Sequence, residues 1–172
     1  MQKIKLKIIF LDIDGVINVI SQGHDEFGSV FHKHLCDNLK TIIDATGAKI
    51  VISSTWRVDG LGQMQLMWKK RELAGEVIDV TPDCVQIVND GIEKFYDKVE
   101  RGHEIQWWLD KHKDEVENWV IVDDDNDMLS SQRDNFVRTA NNKDHEDCID
   151  IGYGLTKKCA EKCIEILLRN NK

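Results

Sequence analysis

Short apolar runs alternate along this chain with segments whose apolar residues recur every three or four positions. Lys5 to Leu11 closes on Ile8-Ile9-Phe10-Leu11, apolar on both faces as a buried parallel strand requires. His32 to Thr46 carries Leu35, Leu39, Ile42 and Ile43 at helical spacing, with Gly47 as its stop. Ala48 to Ile52 predicts a second buried strand, Gly62 to Ala74 a helix closed by Gly75, and Glu76 to Val80 a third strand. Arg101 to His112 reads as a helix with Ile105, Trp108 and Leu109 on one stripe. Asn118 to Val122 and Phe136 to Arg138 predict two further strands. Lys157 to Arg169 predicts a closing helix with Ala160, Cys163, Ile164, Leu167 and Leu168 inward. Val16 to Phe31 and Thr81 to Glu100 hold neither period and are expected as loop, short hairpin or irregular helix. Strands alternating with helices predict an α/β fold, a parallel sheet covered on both faces. No linker, repeat or composition break divides the chain, so one domain over residues 1–172 is expected.

Composition narrows the class. Apolar residues make up 41% and charged residues 31%, enough to build a core and unlike a disordered chain. The longest apolar runs are far shorter than the roughly 20 residues of a membrane helix. The N-terminus lacks the apolar stretch and cleavage site of a signal peptide, and five cysteines at irregular gaps suit reduced thiols better than a secreted disulfide framework. A cytoplasmic protein with no membrane partner is expected. The net charge of −8 lacks the basic face that many phosphate contacts demand. Any nucleic-acid contact is therefore expected to be small and local.

The chemistry collects where three strands stop. Ile8-Ile9-Phe10-Leu11 runs into Asp12-Ile13-Asp14-Gly15, Lys49-Ile50-Val51-Ile52 into Ser53-Ser54-Thr55-Trp56-Arg57, and Trp119-Val120-Ile121-Val122 into Asp123-Asp124-Asp125-Asn126-Asp127. Carboxyl ends of parallel strands share one edge, where ligands bind. Asp12, Asp14, Ser53, Asp123 and Asp124 should therefore meet there. Two like charges about 4 Å apart cost about 4 kcal/mol at an effective dielectric of roughly 20. Converging carboxylates must then share a cation or take protons. Hard oxygen ligands favour Mg²⁺.

These residues resemble the haloacid dehalogenase (HAD) superfamily of phosphohydrolases. Asp12-Ile13-Asp14-Gly15-Val16 matches its first motif, Ile52-Ser53 its second and Val122-Asp123-Asp124 its fourth, in the right order. Ser53-Ser54-Thr55-Trp56-Arg57, Thr81-Pro82, Arg101-Gly102-His103-Glu104-Ile105 and Gly154-Leu155-Thr156 look, more narrowly, like the small HAD domains found alone or fused in RNA-repair proteins. The resemblance implies a three-layer Rossmann-like fold; the stretches from Gly15 to Ile50 and from Val58 to Glu100 are largely taken up by core elements, so a minimal cap or none is expected. The resemblance implies Asp12 as the nucleophile that becomes an aspartyl-phosphate and Asp14 as general acid and then base. It implies Mg²⁺ on the Asp12 carboxylate, the Asp14 backbone carbonyl and Asp123, with Asp124 in support, and a phosphate oxygen on Ser53. The family's third motif, usually a Lys before a helix, is matched only loosely. Arg101 is preferred over Lys98 because forked donors suit phosphate, and Arg57 is a second candidate clamp. The substrate is expected to be phosphorylated; a nucleotide or nucleic-acid end, a small metabolite, and a catalytically silent binding role stay open.

Plainer readings stand beside these. Asp-Gly after a strand is also an ordinary turn signal, Ser53 to Thr55 also suits a helix cap, and Arg101 also suits an exposed helix start. The acidic run lacks the Gly and final Glu of a calcium loop. His32, His34 and Cys36, with Cys148, Cys159 and Cys163, could be drawn as zinc ligands, but no Cys-x-x-Cys pair occurs, and Cys159 and Cys163 fall on the inward helical stripe.

Overall fold

A computed structural model describes residues 5–83, 100–139 and 154–170. In chain order it holds β1 (Leu6–Leu11), a hairpin of β2 (His24–Asp25) and β3 (Gly28–Ser29), α1 (Lys33–Thr46) and β4 (Lys49–Ile52). A 3-10 turn (Thr55–Asp59), α2 (Gly60–Lys70), β5 (Val77–Val80) and α3 (Arg101–His112) follow. β6 (Val116–Asp123), a second 3-10 turn (Ser130–Asn135), β7 (Phe136–Arg138) and α4 (Lys157–Leu167) complete the described elements. β5, β4, β1, β6 and β7 lie side by side in that order, all parallel. The hairpin pairs only with itself.

Strand pleating sorts the core into two halves. Ile9, Leu11, Ile50, Ile52, Val120 and Val122 face α1, α2 and α4, packing on Leu35, Leu39, Met64, Met67, Trp68 and Cys163. Ile8, Phe10, Val51 and Ile121 face the other way onto Ile105, Trp108 and Leu109 of α3. Helices thus cover both faces of the sheet. Trp108 stands edge-on to Phe10 with centroids 5.3 Å apart, and its indole N–H donates to Asp79 Oδ2 at 2.7 Å. Trp107 instead lies under the Lys111 ammonium. Cys159 and Cys163 are buried and unpaired. No described helix is long and apolar enough to cross a membrane.

Differences from the sequence reading sit at element ends. α2 starts two residues early and stops at Lys70, because the chain turns through Glu72 at φ 51 and Leu73 N–H donates to Trp68 O. β6 is longer at both ends than the apolar run that marked it. α1 closes as expected, with Gly47 at φ 66 donating to Ile43 O, a left-handed cap that suits glycine. Val16 to Phe31 contains the hairpin. Cys84, Lys98 and Cys148, and most of the segment from Thr81 to Glu100, lie outside the described residues.

The topology fixes the site. The chain runs outward from β1 through β4 to β5, then crosses to β6 and β7 on the other side. Where strand order reverses, the loops at the carboxyl ends part and leave a crevice. Register then aligns the contents, since Leu11 is level with both Ile52 and Val122. The next residue on each strand is Asp12, Ser53 or Asp123.

Candidate active site

Asp12 leaves β1 with its N–H on Val122 O at 3.0 Å, and one tight turn follows. Ile13 O accepts from Val16, Ile17 and Asn18, so Asp14 swings out to the surface while Asp12 stays buried. Gly15 sits at φ +75, and a Cβ there would lie 2.2 Å from Asp124 Cγ. Only glycine allows the β6 loop to close so tightly on the β1 turn. Gly15→Ala should therefore push Asp124 away at a cost of about 1–2 kcal/mol for the left-handed backbone alone. The expected result is a lower melting temperature than the wild type's in metal-free buffer, read by thermal unfolding. An unchanged melting temperature would show that the turn tolerates a side chain against Asp124.

Arg101 enters from the first turn of α3. Its guanidinium lies 3.5 Å from Asp12 Oδ1 and 3.3 Å from Asp123 Oδ2, and it also donates to Ser53 O. The acidic loop after β6 aims it. Asp127 accepts from Arg101 N–H through Oδ2 at 3.1 Å, and from Gly102 N–H through its carbonyl at 3.3 Å. A carboxylate on the free N–H groups of a helix start is favourable on dipole grounds as well. The run Asp123 to Asp127 therefore caps the helix before it in sequence, rather than the one after.

Burial governs the electrostatics. Asp12 is 6% and Asp123 1% exposed. Desolvation drives both carboxyls above the ordinary range, with Arg101 opposing it in each case and mutual repulsion adding at Asp123. Asp124 is also raised, by burial and then by Asp125. Burial works against the Arg101 charge too, but Asp123 and Asp12 outweigh it and its pKa rises. One oxygen from each of Asp12, Asp123 and Asp124 lies within 4.8 Å of the others. Asp123 Oδ2 is buried and accepts no hydrogen bond. Once ionised, three carboxylates against one guanidinium leave two charges uncompensated, and an all-oxygen donor set fits a hard divalent ion. Those residues fit Mg²⁺; the side chain of Asp14 stands outside their cluster.

Ser53 is 1% exposed, and its hydroxyl has no hydrogen-bond partner. Such a donor costs about 1–3 kcal/mol when left unmet, so it suits an incoming acceptor. Ser54 beside it hydrogen-bonds Asp12 and accepts from Trp56 N–H. Arg57 points elsewhere. It donates to Ser54 O, Thr81 O and Pro82 O and pairs with Glu104 at 2.8 Å. That guanidinium ties the loop after β4 to the loop after β5 and to α3, and in this arrangement it braces the wall instead of reaching for a phosphate.

Two residues at the site escaped the sequence reading. Asp14 Oδ1 accepts from Asn18 Nδ2 at 2.6 Å, and Oδ2 accepts from Trp56 Nε1 at 2.8 Å. The four-residue spacing of Asp14 and Asn18 was a usable signal for one helical turn. Trp56 stood in the run from Ser53 to Arg57, but nothing local signalled its contact with Asp14, 42 positions away.

Comparison with known proteins adds the family. Residues 8–144 match the family described as HAD domain in Swiss Army Knife RNA repair proteins. Among curated proteins none matches the chain. A Vibrio cholerae structure assigned as a 3-deoxy-D-manno-octulosonate 8-phosphate phosphatase is 22% identical, with 96% of this chain and 84% of that one covered and a TM-score of 0.39. A Legionella pneumophila structure assigned to the HAD superfamily, subfamily III A hydrolases, is 14% identical over 96% and 85%, with a TM-score of 0.37. The crevice between β1 and β6 thus lies within the matched span, and the chain belongs to the HAD hydrolase superfamily as one of the HAD domains of Swiss Army Knife RNA repair proteins.

Proposed function

We propose that the protein is a Mg²⁺-dependent phosphomonoesterase acting through an aspartyl-phosphate on Asp12, with the phosphate end of an RNA strand or nucleotide as its substrate. The convergence of Asp12, Ser53, Asp123 and Arg101 on one crevice carries the proposal, with the unmet Ser53 hydroxyl in its wall. Bound Mg²⁺ would be held by Asp12, Asp123, Asp124 and the Asp14 carbonyl and would supply positive charge against the phosphate. Ser53 and Arg101 donate to its non-bridging oxygens.

An Asp12 carboxylate oxygen attacks phosphorus, and the bond from phosphorus to the leaving oxygen breaks. Asp14, protonated, gives its proton to that oxygen, so the product departs as an alcohol. Asp14, now a carboxylate, takes a proton from water as the water oxygen attacks the aspartyl-phosphate. The phosphorus–Asp12 bond breaks, and Asp12 and Asp14 return to their starting states. The net change is phosphomonoester plus water to alcohol plus phosphate.

Substrate class rests on the family's RNA-repair description. The charge of −8 favours a second reading, a small-metabolite phosphatase. A silent binding role has no use for both Asp12 and Asp14. Cys36, Cys159 and Cys163 are unpaired, which suits a reducing cytoplasm. The test is phosphate release with and without Mg²⁺ from 3′- and 5′-phosphorylated oligonucleotides, nucleotides and sugar phosphates. The proposal expects Mg²⁺-dependent turnover, highest on RNA ends or nucleotides. Highest turnover on sugar phosphates would give the second reading, and no release from any substrate would overturn the enzyme itself.

A further inference from the structure

We propose that Trp56 and Asn18 are positioning residues for Asp14, which hold its carboxyl in the orientation that passes a proton to the leaving oxygen. The inference rests on the phosphatase reading above. Asp14 is exposed, and an exposed aspartate ordinarily samples several rotamers. Here each carboxylate oxygen accepts one donor, Nδ2 of Asn18 at 2.6 Å and Nε1 of Trp56 at 2.8 Å. Donors on both oxygens fix the plane of the group as well as its place.

Trp56 is itself held from several sides. Its backbone N–H meets Ser54 Oγ, and its ring stands edge-on to Phe31 with centroids 5.3 Å apart. The far edge of the indole lies over Gly28 of the hairpin, where a Cβ would be 3.3 Å from Cη2. The Arg71 guanidinium, 5.8 Å from the ring centroid, also stacks on Phe31 at 4.2 Å and grips Asp25 through two hydrogen bonds. The sequence thus builds an aromatic support reaching from α2 to the hairpin, and its one polar atom faces a surface carboxylate two residues past the nucleophile.

The choice of donors has a chemical consequence. An indole N–H and an amide N–H donate without ionising and, unlike an ammonium, offer Asp14 no competing proton exchange. As the Asp14 proton moves to the leaving oxygen, charge grows on the carboxyl. Both N–H groups already point at that charge, so little reorganisation is required.

The test separates this role from mere support by varying the leaving group. The ratio kcat/KM reports events through departure of the first product, so it isolates protonation of the leaving oxygen. A nucleoside monophosphate leaves as an alkoxide and needs that proton; 4-nitrophenyl phosphate leaves as a stable phenolate and does not. Trp56→Phe keeps the ring and removes the donor. It should lower kcat/KM on the nucleoside monophosphate by roughly 10-fold or more, as for a hydrogen bond to a charged group. The fall on 4-nitrophenyl phosphate should be slight. Benzothienylalanine at position 56, which keeps both rings but lacks the N–H, should reproduce the split if packing loss clouds the phenylalanine variant, and Asn18→Ala should show it in weaker form. Equal falls on both substrates, or no fall on either, overturn the inference. If Asp14→Asn shows the split and the Trp56 variants do not, this inference alone fails. If Asp14→Asn lacks the split, or the wild type is inactive, the assignment of Asp14 fails and this inference with it.

Discussion

Asp12→Asn should abolish turnover, with kcat falling on the order of 10⁴-fold or further, as expected when a covalent nucleophile is removed. The amide is close in shape to the carboxylate but has no charged oxygen to attack phosphorus, so no phosphoenzyme should be trapped on acid quench. The same variant should fold at least as firmly as the wild type in metal-free buffer. Desolvation and the nearby Asp124 charge strain the ionised Asp12, and Asp12 in turn raises Asp123. A neutral amide removes both sources of strain, a trade seen where function holds a site away from its stability optimum. Loss of activity with an equal or higher melting temperature is the expected pair of results. Residual kcat within tenfold of the wild type would remove Asp12 from the mechanism.

Arg101→Ala should fail differently. It removes the guanidinium that touches Asp12, Asp123 and Ser53 O, and a preorganised donor of this kind accounts for about 10²–10³-fold in rate. It also strands two buried carboxylates, which costs about 3–5 kcal/mol when a buried pair is broken. The sign of the pH effect follows from the shifts. Asp12 is raised to about 6 and Asp123 to about 8, so their protonated forms favour the fold. That contribution is complete below the ordinary carboxylate range and fades as pH climbs through about 6 and then 8. In metal-free buffer the Arg101→Ala melting temperature should therefore drop more steeply with rising pH than the wild type's. Mg²⁺, which needs ionised ligands, should raise the wild-type melting temperature increasingly from about pH 5 to about pH 8. Ordinary carboxylates would already have levelled off by about pH 5. A Mg²⁺ effect that is flat over this range would show that Asp12 and Asp123 are not raised.

What the amino-acid order conveyed was mostly local. Ile8 to Leu11, Ile50 to Ile52 and Val120 to Val122 are buried on both faces, and a run of that kind announces a central parallel strand wherever it occurs. Since parallel strands present their carboxyl ends together, Asp12, Ser53 and Asp123 could be placed on one edge before any coordinates. Arg101, preferred on donor geometry, stands beside Asp12 and Asp123, while its rival Lys98 lies outside the described residues. Direction was another matter. Arg57 is the right residue type four positions after Ser53, yet its guanidinium turns to Glu104, 47 positions on. Trp56 reaches back 42 positions to Asp14. Partners that far apart are chosen by how helices and loops pack, and no period in the sequence records them. The hairpin was equally faint, because two-residue strands show no alternation to read.

The two faces of the sheet differ in what they demand of their residues. Among the described helices, α3 alone packs on Ile8, Phe10, Val51 and Ile121, and its first residue is Arg101. That helix works as a lever whose fulcrum is the Phe10–Trp108 contact and whose tip is a guanidinium. A methylene trimmed from Phe10 or Ile121 would tilt the tip, so a defect in greasy packing would surface as faulty catalysis. Leu39 and Ile166 of α1 and α4 belong instead to the cluster that holds Ile13, Val16 and Ile17 of the turn after β1. One side of the sheet thus steadies the cation and the other the nucleophile's turn, and damage to either should reach the reaction by a separate route.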